Sequence, residues 1–475
     1  MHQSDRRRRF PRRLLGLGTA VVSLATVTAA CGSAGGASSS GGGKNTIEVT
    51  YQFQQTPGAV DTSGEWFRKV IPQFEKQHPG VKVTLNAINA SENDYYTKLD
   101  LLESSKSTTP DIVMEDTFLV SSDEEAGYLR PLTKLVGSWP DWRKFVPIMK
   151  TITSYNGQVW GVPFSTDDRY LWYNADIFKK AGIPVPWHPA TWAQVLSTLQ
   201  TIHKKDPGVI PMNIYAGVPQ GEAATMQGFE MLLYGTGYTL YDYRTGKWVV
   251  QDPGLTDAFR FLYDVYHNNL GAPPSQELTG TWGQTVALDL LPQSKLAVDL
   301  DGMWLPQNWP GKQFPGWQNI MRWTPMPTMN GQAPGYATLS GGWALSIPKY
   351  SPHPGLAWDF IKLATDTANE AYYGKVSANL PTRTDSAKVP LYAHSEPNIT
   401  FSNSLLTHTY YRPAFPVYPK VSYVIQQLSG NIITGTMTPA QAASSYASQV
   451  RKIVGASHAE SLSSPMTHAQ EYPAS

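Results

Sequence analysis

Between residues 47 and 116, short alternating strands and one-faced helices follow one another with a breaker at each join. That order points to an open α/β sheet. Residues 47–53 (IEVTYQF) alternate with a period of two. Over 66–78, Trp66, Phe67, Val70, Ile71 and Phe74 fall on one helical face; Pro79-Gly80 stops the helix, and 81–85 (VKVTL) alternates again. A second helix over 95–105 precedes a strand at 110–114, whose C-terminal end carries Glu115 and Asp116. Open α/β sheets bind ligands beyond the carboxyl ends of their strands. Gln54, Gln55, Glu115 and Asp116 therefore share one expected crevice.

Residues 155–192 (YNGQVWGVPFSTDDRYLWYNADIFKKAGIPVPWHPATW) repeat the pattern with an unusual centre. A proline and two acids, Asp167 and Asp168, stand before an aromatic strand. A helix over 175–181, a Gly-Ile-Pro break and a further helix start follow. Acids at a strand-to-strand passage among aromatics fit a polar ligand with apolar faces, and a sugar meets that description. The length of 475 residues exceeds one ordinary core and implies two domains or lobes.

The first thirty residues read as an export signal. They hold Arg6, Arg7, Arg8, Arg9, Arg12 and Arg13, and then an apolar stretch over 14–30 that ends in small residues. The arginine run fits either a twin-arginine or an Arg-rich general secretory signal. Without this segment the chain keeps 32 basic and 36 acidic residues, which gives no reason to expect nucleic acid or an anionic membrane surface as a partner. The single cysteine, Cys31, excludes disulfides within the chain and a thiolate zinc site. Thr28-Ala29-Ala30-Cys31 resembles a bacterial lipobox, with Thr28 where that pattern usually has Leu. The resemblance implies a lipidated Cys31 at the outer face of the cell membrane, followed by a Gly/Ser tether over 31–45.

The order of parts resembles a known family. WFRKVIPQFEKQHPGVKV, YYTKLDLLESSKSTTPDIVMED, the 155–192 segment, KLAVDLDGMW, GGWALSIPKYSPHPGLAWDFIKLATD and YRPAFPVYPKVSYVIQQL follow one another as in the extracytoplasmic solute-binding proteins of carbohydrate ABC importers. TDDRYLWYN, GGWALSI and RPAFPVYP look most like the branch that binds maltose, trehalose and related α-glucosides. The resemblance implies a two-lobed periplasmic-binding-protein fold of type II, an α/β fold whose lobes are joined by three hinge crossings. It places lobe one at 46–165 with 345–392 and lobe two at 166–340 with 400–456. The crossings are expected near 164–168, 340–343 and 390–400, and the tail over 457–475 is expected to be disordered. It implies a monomer that takes a sugar and meets the transmembrane subunits of an ABC permease, without enzymatic activity, cofactor, metal or nucleic acid.

Aromatic rings cover the C–H face of a pyranose; carboxylates, Arg and amides satisfy its hydroxyls. Asp167 is the first candidate acid, with Asp168 and Asp116 next, then Glu115. Arg412 offers a planar fork to vicinal hydroxyls, or else an interlobe salt bridge, and Tyr411 precedes it. Trp304 and Trp343 follow strand ends and are the expected stacking platforms, and Gly342 lets the backbone approach a ligand. Gln54 and Gln55 are loop amides at the same crevice. No His-Glu-x-x-His or Gly-x-Ser-x-Gly motif occurs, and Asp299-x-Asp301-Gly302 lacks the rest of a calcium loop. A secreted glycoside hydrolase would also combine paired acids with aromatics, and the same fold serves non-sugar solutes or sensory partners.

Overall fold

The computed structural model describes residues 45–311 and 313–466, so Cys31, the signal and the tether lie outside the described residues. Two main sheets form, and the chain passes between them. The first is ordered Lys82–Ile88, Thr46–Gln52, Ile112–Asp116, Gly342–Ser346, Gly161–Thr166. Its first three strands are parallel, and Gly342–Ser346 runs antiparallel to both of its neighbours. The helices Thr62–Gln77 and Glu92–Glu103 make the crossovers between the parallel strands. Asp61 caps the first by accepting from the Gly64 N–H, and Trp66, Phe67, Val70 and Phe74 are buried on the face that the spacing predicts. The strand Thr46–Gln52 has the next two strands of the chain on opposite sides. The crevice beyond its carboxyl end is thus a topological switch point.

The second sheet is ordered Met321–Thr324, Arg169–Asn174, Leu296–Gly302, Ile210–Asn213. The aromatic strand Arg169–Asn174 is buried along its whole length. Trp172 packs among Trp309, Trp317 and Trp323, and Tyr173 against Phe178 and Trp187. Both rings are therefore core, buried within the hydrophobic clusters of this lobe. Gly302 pairs with Arg169, and Asp299 with Asn213, so Arg169, Asp301 and Asn213 meet at one end of the sheet.

The chain leaves the first sheet at Thr166 and enters the second at Arg169, with Asp167 and Asp168 between. It returns at Gly341, between the strands Tyr336–Ser340 and Gly342–Ser346. Gly342 permits that return: a Cβ there would stand 2.3 Å from the Ser165 carbonyl oxygen. The last passage lies beside the first, since Thr166 and Leu380 exchange both backbone hydrogen bonds at 2.9 Å. Arg383 still pairs with Asp141 of the first lobe, whereas the Asn398 side-chain amide donates to the Tyr170 hydroxyl of the second at 2.7 Å.

The C-terminal tail departs from expectation over 457–466. Ala459–Ser461 adds a parallel strand to Lys247–Gln251, and the Met466 N–H donates to the Gly237 carbonyl at 2.7 Å. A polar, serine-rich stretch carries no periodic signal, but pairing along a strand edge requires only backbone.

Candidate functional site

Between the two sheets lies a cavity of about 330 Å³, and a second of about 280 Å³ adjoins it. Both walls include Gln54 and Glu92 from the first lobe and Gln227, Trp304 and Gln307 from the second. The lobes touch at the rim: Gln284 Nε2 donates to Gln54 Oε1 at 2.7 Å, Thr62 Oγ1 to Gln307 Oε1 at 3.3 Å, and Gln313 Nε2 to the Gly58 carbonyl at 3.0 Å.

Asp116 ends its strand at the carboxyl side, pointing into the first cavity opposite Arg412 of the second lobe. The Arg412 guanidinium forks between Asp116 and Glu222; its Nη1 lies 3.0 Å from Glu222 Oε2. Its flat face lies 4.3 Å from the Phe118 ring centroid, and all three charged residues are buried. Burial raises the Glu222 carboxyl above the usual range, with Arg412 opposing. Burial also disfavours the Arg412 cation, but Asp116 and Glu222 outweigh it and hold the guanidinium well above its ordinary value. The group stays charged and rigid, because each fork of the guanidinium has its own carboxylate.

A second charged pair stands beside the first. Asp167 Oδ1 accepts from the Gly341 N–H at 2.7 Å and from Arg169 Nη1 at 2.5 Å. Arg169 also donates through Nε to Gln227 Oε1 at 3.1 Å and through Nη1 to the Leu339 carbonyl at 2.8 Å. Its guanidinium lies 4.8 Å from the Trp304 ring centroid. Trp304 folds back over Gly302, where any Cβ would stand 2.0 Å from the indole. Across the cavity Trp343 is partly buried, edge-on to Tyr95 at 6.4 Å. Glu92 lines both cavities; burial, then the Asp116 charge, pushes its carboxyl up to about 7.

Of the residues singled out in the sequence, Asp116, Asp167, Arg412, Trp304, Trp343, Gly342 and Gln54 line the first cavity. Asp168, Glu115, Tyr411 and Gln55 do not. Consecutive residues of an extended chain point to opposite sides, so Asp116 and Asp167 face the cavity while Glu115 and Asp168 turn away from it. Asp168 is fully buried, and burial pushes its carboxyl up to about 8. Tyr411 packs with Met149 and Ile152 behind the passages. Gln55 is exposed, and its N–H donates to Asn89 Oδ1 at 2.9 Å.

Glu222, Gln227, Glu92 and Asn379 also line the cavity, although sequence reasoning did not single them out. Glu222 and Glu230 are the acids of the otherwise uncharged run 218–233, and an isolated acid in such a run is the one signal that could have pointed to Glu222. Glu92 reads as an ordinary first-turn helix residue, and only the tertiary arrangement brings it to the cavity.

The profile of the bacterial extracellular solute-binding proteins matches residues 58–371. An uncharacterized ABC transporter extracellular-binding protein of Pyrococcus horikoshii is 24% identical over 374 residues, 76% of this chain and 80% of that one. The arabinooligosaccharide-binding protein of Bacillus subtilis is 23% identical over 313 residues, 63% of this chain and 66% of that one. Among solved structures, maltose-bound T. maritima MalE3 superposes with a TM-score of 0.75 at 21% identity, covering 86% of this chain and 100% of the other. The GacH receptor of Streptomyces glaucescens, solved unliganded and with acarbose, gives 0.72 at 21% identity, covering 86% and 98%. These likenesses establish the fold as that of the MalE-like binding proteins of type II.

Proposed function

The chain belongs to the bacterial extracellular solute-binding proteins, and from that premise we propose that it captures a di- or oligo-α-glucoside of the maltose or trehalose type between its lobes and hands it to an ABC permease. The observation that carries the reading is the composition of the first cavity. Two partly buried tryptophans, Trp304 and Trp343, stand with charged groups already fixed by their own partners. Indole faces suit the C–H side of a pyranose, and fixed carboxylates, guanidinium and amides suit its hydroxyls. Hydrogen bonds to charged groups contribute about 1.5–3 kcal/mol each. Three or four of them with two stacked rings reach about −8 kcal/mol after ordering costs, the micromolar range.

The rim contacts join the lobes in a closed arrangement, so a ligand enters through an opened form. It drives closure only to the extent that it binds the closed form better. The ligands named for related proteins support a sugar, arabinooligosaccharide for one relative and acarbose for one structural neighbour, and the maltose of another neighbour supports the α-glucoside class. Anchoring through a lipidated Cys31 would hold the protein beside the permease. Cell fractionation of wild type and Cys31→Ser tests this: the variant is released from the membrane, and equal retention of both refutes the anchor.

Calorimetry across maltose, trehalose, maltotriose and non-glucoside sugars tests the ligand class. Heat from at least one α-glucoside at micromolar concentration is expected; silence from all of them rejects the class. One observation favours a second reading, a glycoside hydrolase. Glu92 lines the cavity with a carboxyl pushed up to about 7, as a general acid requires. Incubation with the same glycosides separates the two, since released monosaccharide would establish turnover.

A further inference from the structure

Behind Asp116, on the far side of its strand from the cavity, four carboxylates from three elements meet. Asp100 and Glu103 lie in the last turn of the helix Glu92–Glu103, Glu115 near the end of the strand Ile112–Asp116, and Asp123 in the short helix Val120–Glu125. One oxygen each of Asp100, Glu103 and Asp123 lies within 4.8 Å of the others. Glu103 supplies a separate observation. It is 0% exposed, and neither of its oxygens has a hydrogen-bond partner. Glu115 is also 0% exposed and meets the Asp123 carboxyl; burial, with the charges of Glu103 and Asp123, holds its own carboxyl well above the usual range.

Among the described residues, no cationic side chain is set against any of the three buried groups. The helix end makes this worse. Its last turn has no basic residue, and the helix dipole presents negative charge where Asp100 and Glu103 already stand. Buried carboxylates without donors or counter-charge are costly, and an arrangement built from three elements needs something to hold it.

We propose that Glu103, Glu115 and Asp123, with the exposed Asp100 at the mouth, bind one calcium ion. The donors are all oxygens, which selects a hard cation. Three carboxylates around one point, with Glu115 beside them, suit calcium, which takes six to eight oxygen ligands, over magnesium, which is usually held by one or two carboxylates and keeps its waters. The ion would fasten the end of Glu92–Glu103 to the end of the strand that carries Asp116. The first-lobe wall of the cavity would thereby be braced from behind.

Thermal unfolding of the full-length protein, stripped with EDTA and then given calcium, magnesium or potassium chloride, tests the site. Calcium at about a hundred times its Kd should raise Tm by on the order of 3–8 °C, with magnesium much weaker. Terbium, with Tyr95 beside the cluster as the antenna, should give luminescence that calcium displaces. Glu115→Gln combined with Glu103→Gln should abolish both responses. Three results overturn the site: a wild type that shows neither response, equal shifts from calcium and magnesium, or responses that survive in the double variant. The wild-type comparison decides the matter even if the double variant does not fold. Neutral carboxyls that share protons would instead give no calcium response and greater stability as pH falls.

Discussion

Replacing Arg412 by Met removes the cation between Asp116 and Glu222 but keeps most of the side-chain volume. The hydrophobic stem still covers Phe118, so the loss is electrostatic. Breaking a buried ion pair on one side costs about 3–5 kcal/mol when the remaining charge stays buried, and Arg412, Asp116 and Glu222 are each 4% exposed. Protonation limits that cost, and the sign can be worked for Glu222. Burial already raises its folded pKa above the unfolded value, and the loss of Arg412 removes a group that lowers it. A carboxyl with a raised folded pKa imposes no penalty below its unfolded value near 4.5. The penalty grows as pH rises toward the folded pKa and is constant above it, at about 1.4 kcal/mol for each pH unit that separates the folded and unfolded values. Urea unfolding of wild type and Arg412→Met at pH 5 and pH 8 should therefore show a deficit of about 3–5 kcal/mol at pH 8 and a smaller one at pH 5. A deficit that is the same at both pH values, or below about 1 kcal/mol at pH 8, would refute the claim that this arginine neutralises a buried acid.

Trp304→Ala and Trp343→Ala should each weaken sugar binding by about 10- to 100-fold, through lost stacking and buried area, with both variants still folded; calorimetry beside circular dichroism reads the two effects separately. Gly342→Ala puts a methyl 2.3 Å from the Ser165 carbonyl oxygen, and a loss of about 1–3 kcal/mol in chemical unfolding is expected from the forced backbone shift. Glu92, whose carboxyl is pushed up to about 7, lowers stability as pH rises from its unfolded value through 7. Glu92→Gln should flatten the Tm profile between pH 5 and pH 8, and an unchanged profile would assign that slope to other groups.

Much of the fold was readable because its signals are local. The helix Thr62–Gln77 shows its buried face through Trp66, Phe67, Val70 and Phe74, and Pro79-Gly80 marks where it stops. The passage at Asp167 and Asp168 lies where the paired acids separate two strands. The side to which an acid points was harder to read. Glu115 and Asp116 are chemically alike, and only the phase of a strand buried on both faces decides between them. An alternating pattern reveals that phase; a continuous apolar run such as Ile112, Val113 and Met114 conceals it. Glu222 was hidden for another reason. It lies at the start of a helical segment far along the chain from Asp116 and Arg412, and the cluster exists only once both lobes have folded around it.

The strand Ala459–Ser461 covers one edge of Lys247–Gln251, whose inner residues are Trp248, Val249 and Val250. A chain cut after Gly455 would leave that apolar edge with open backbone donors and acceptors, a ready template for a neighbouring molecule. The tail thus acts as a cover against self-association. Shortening it for crystallisation or purification should produce aggregates at concentrations the longer chain tolerates, as light scattering would show.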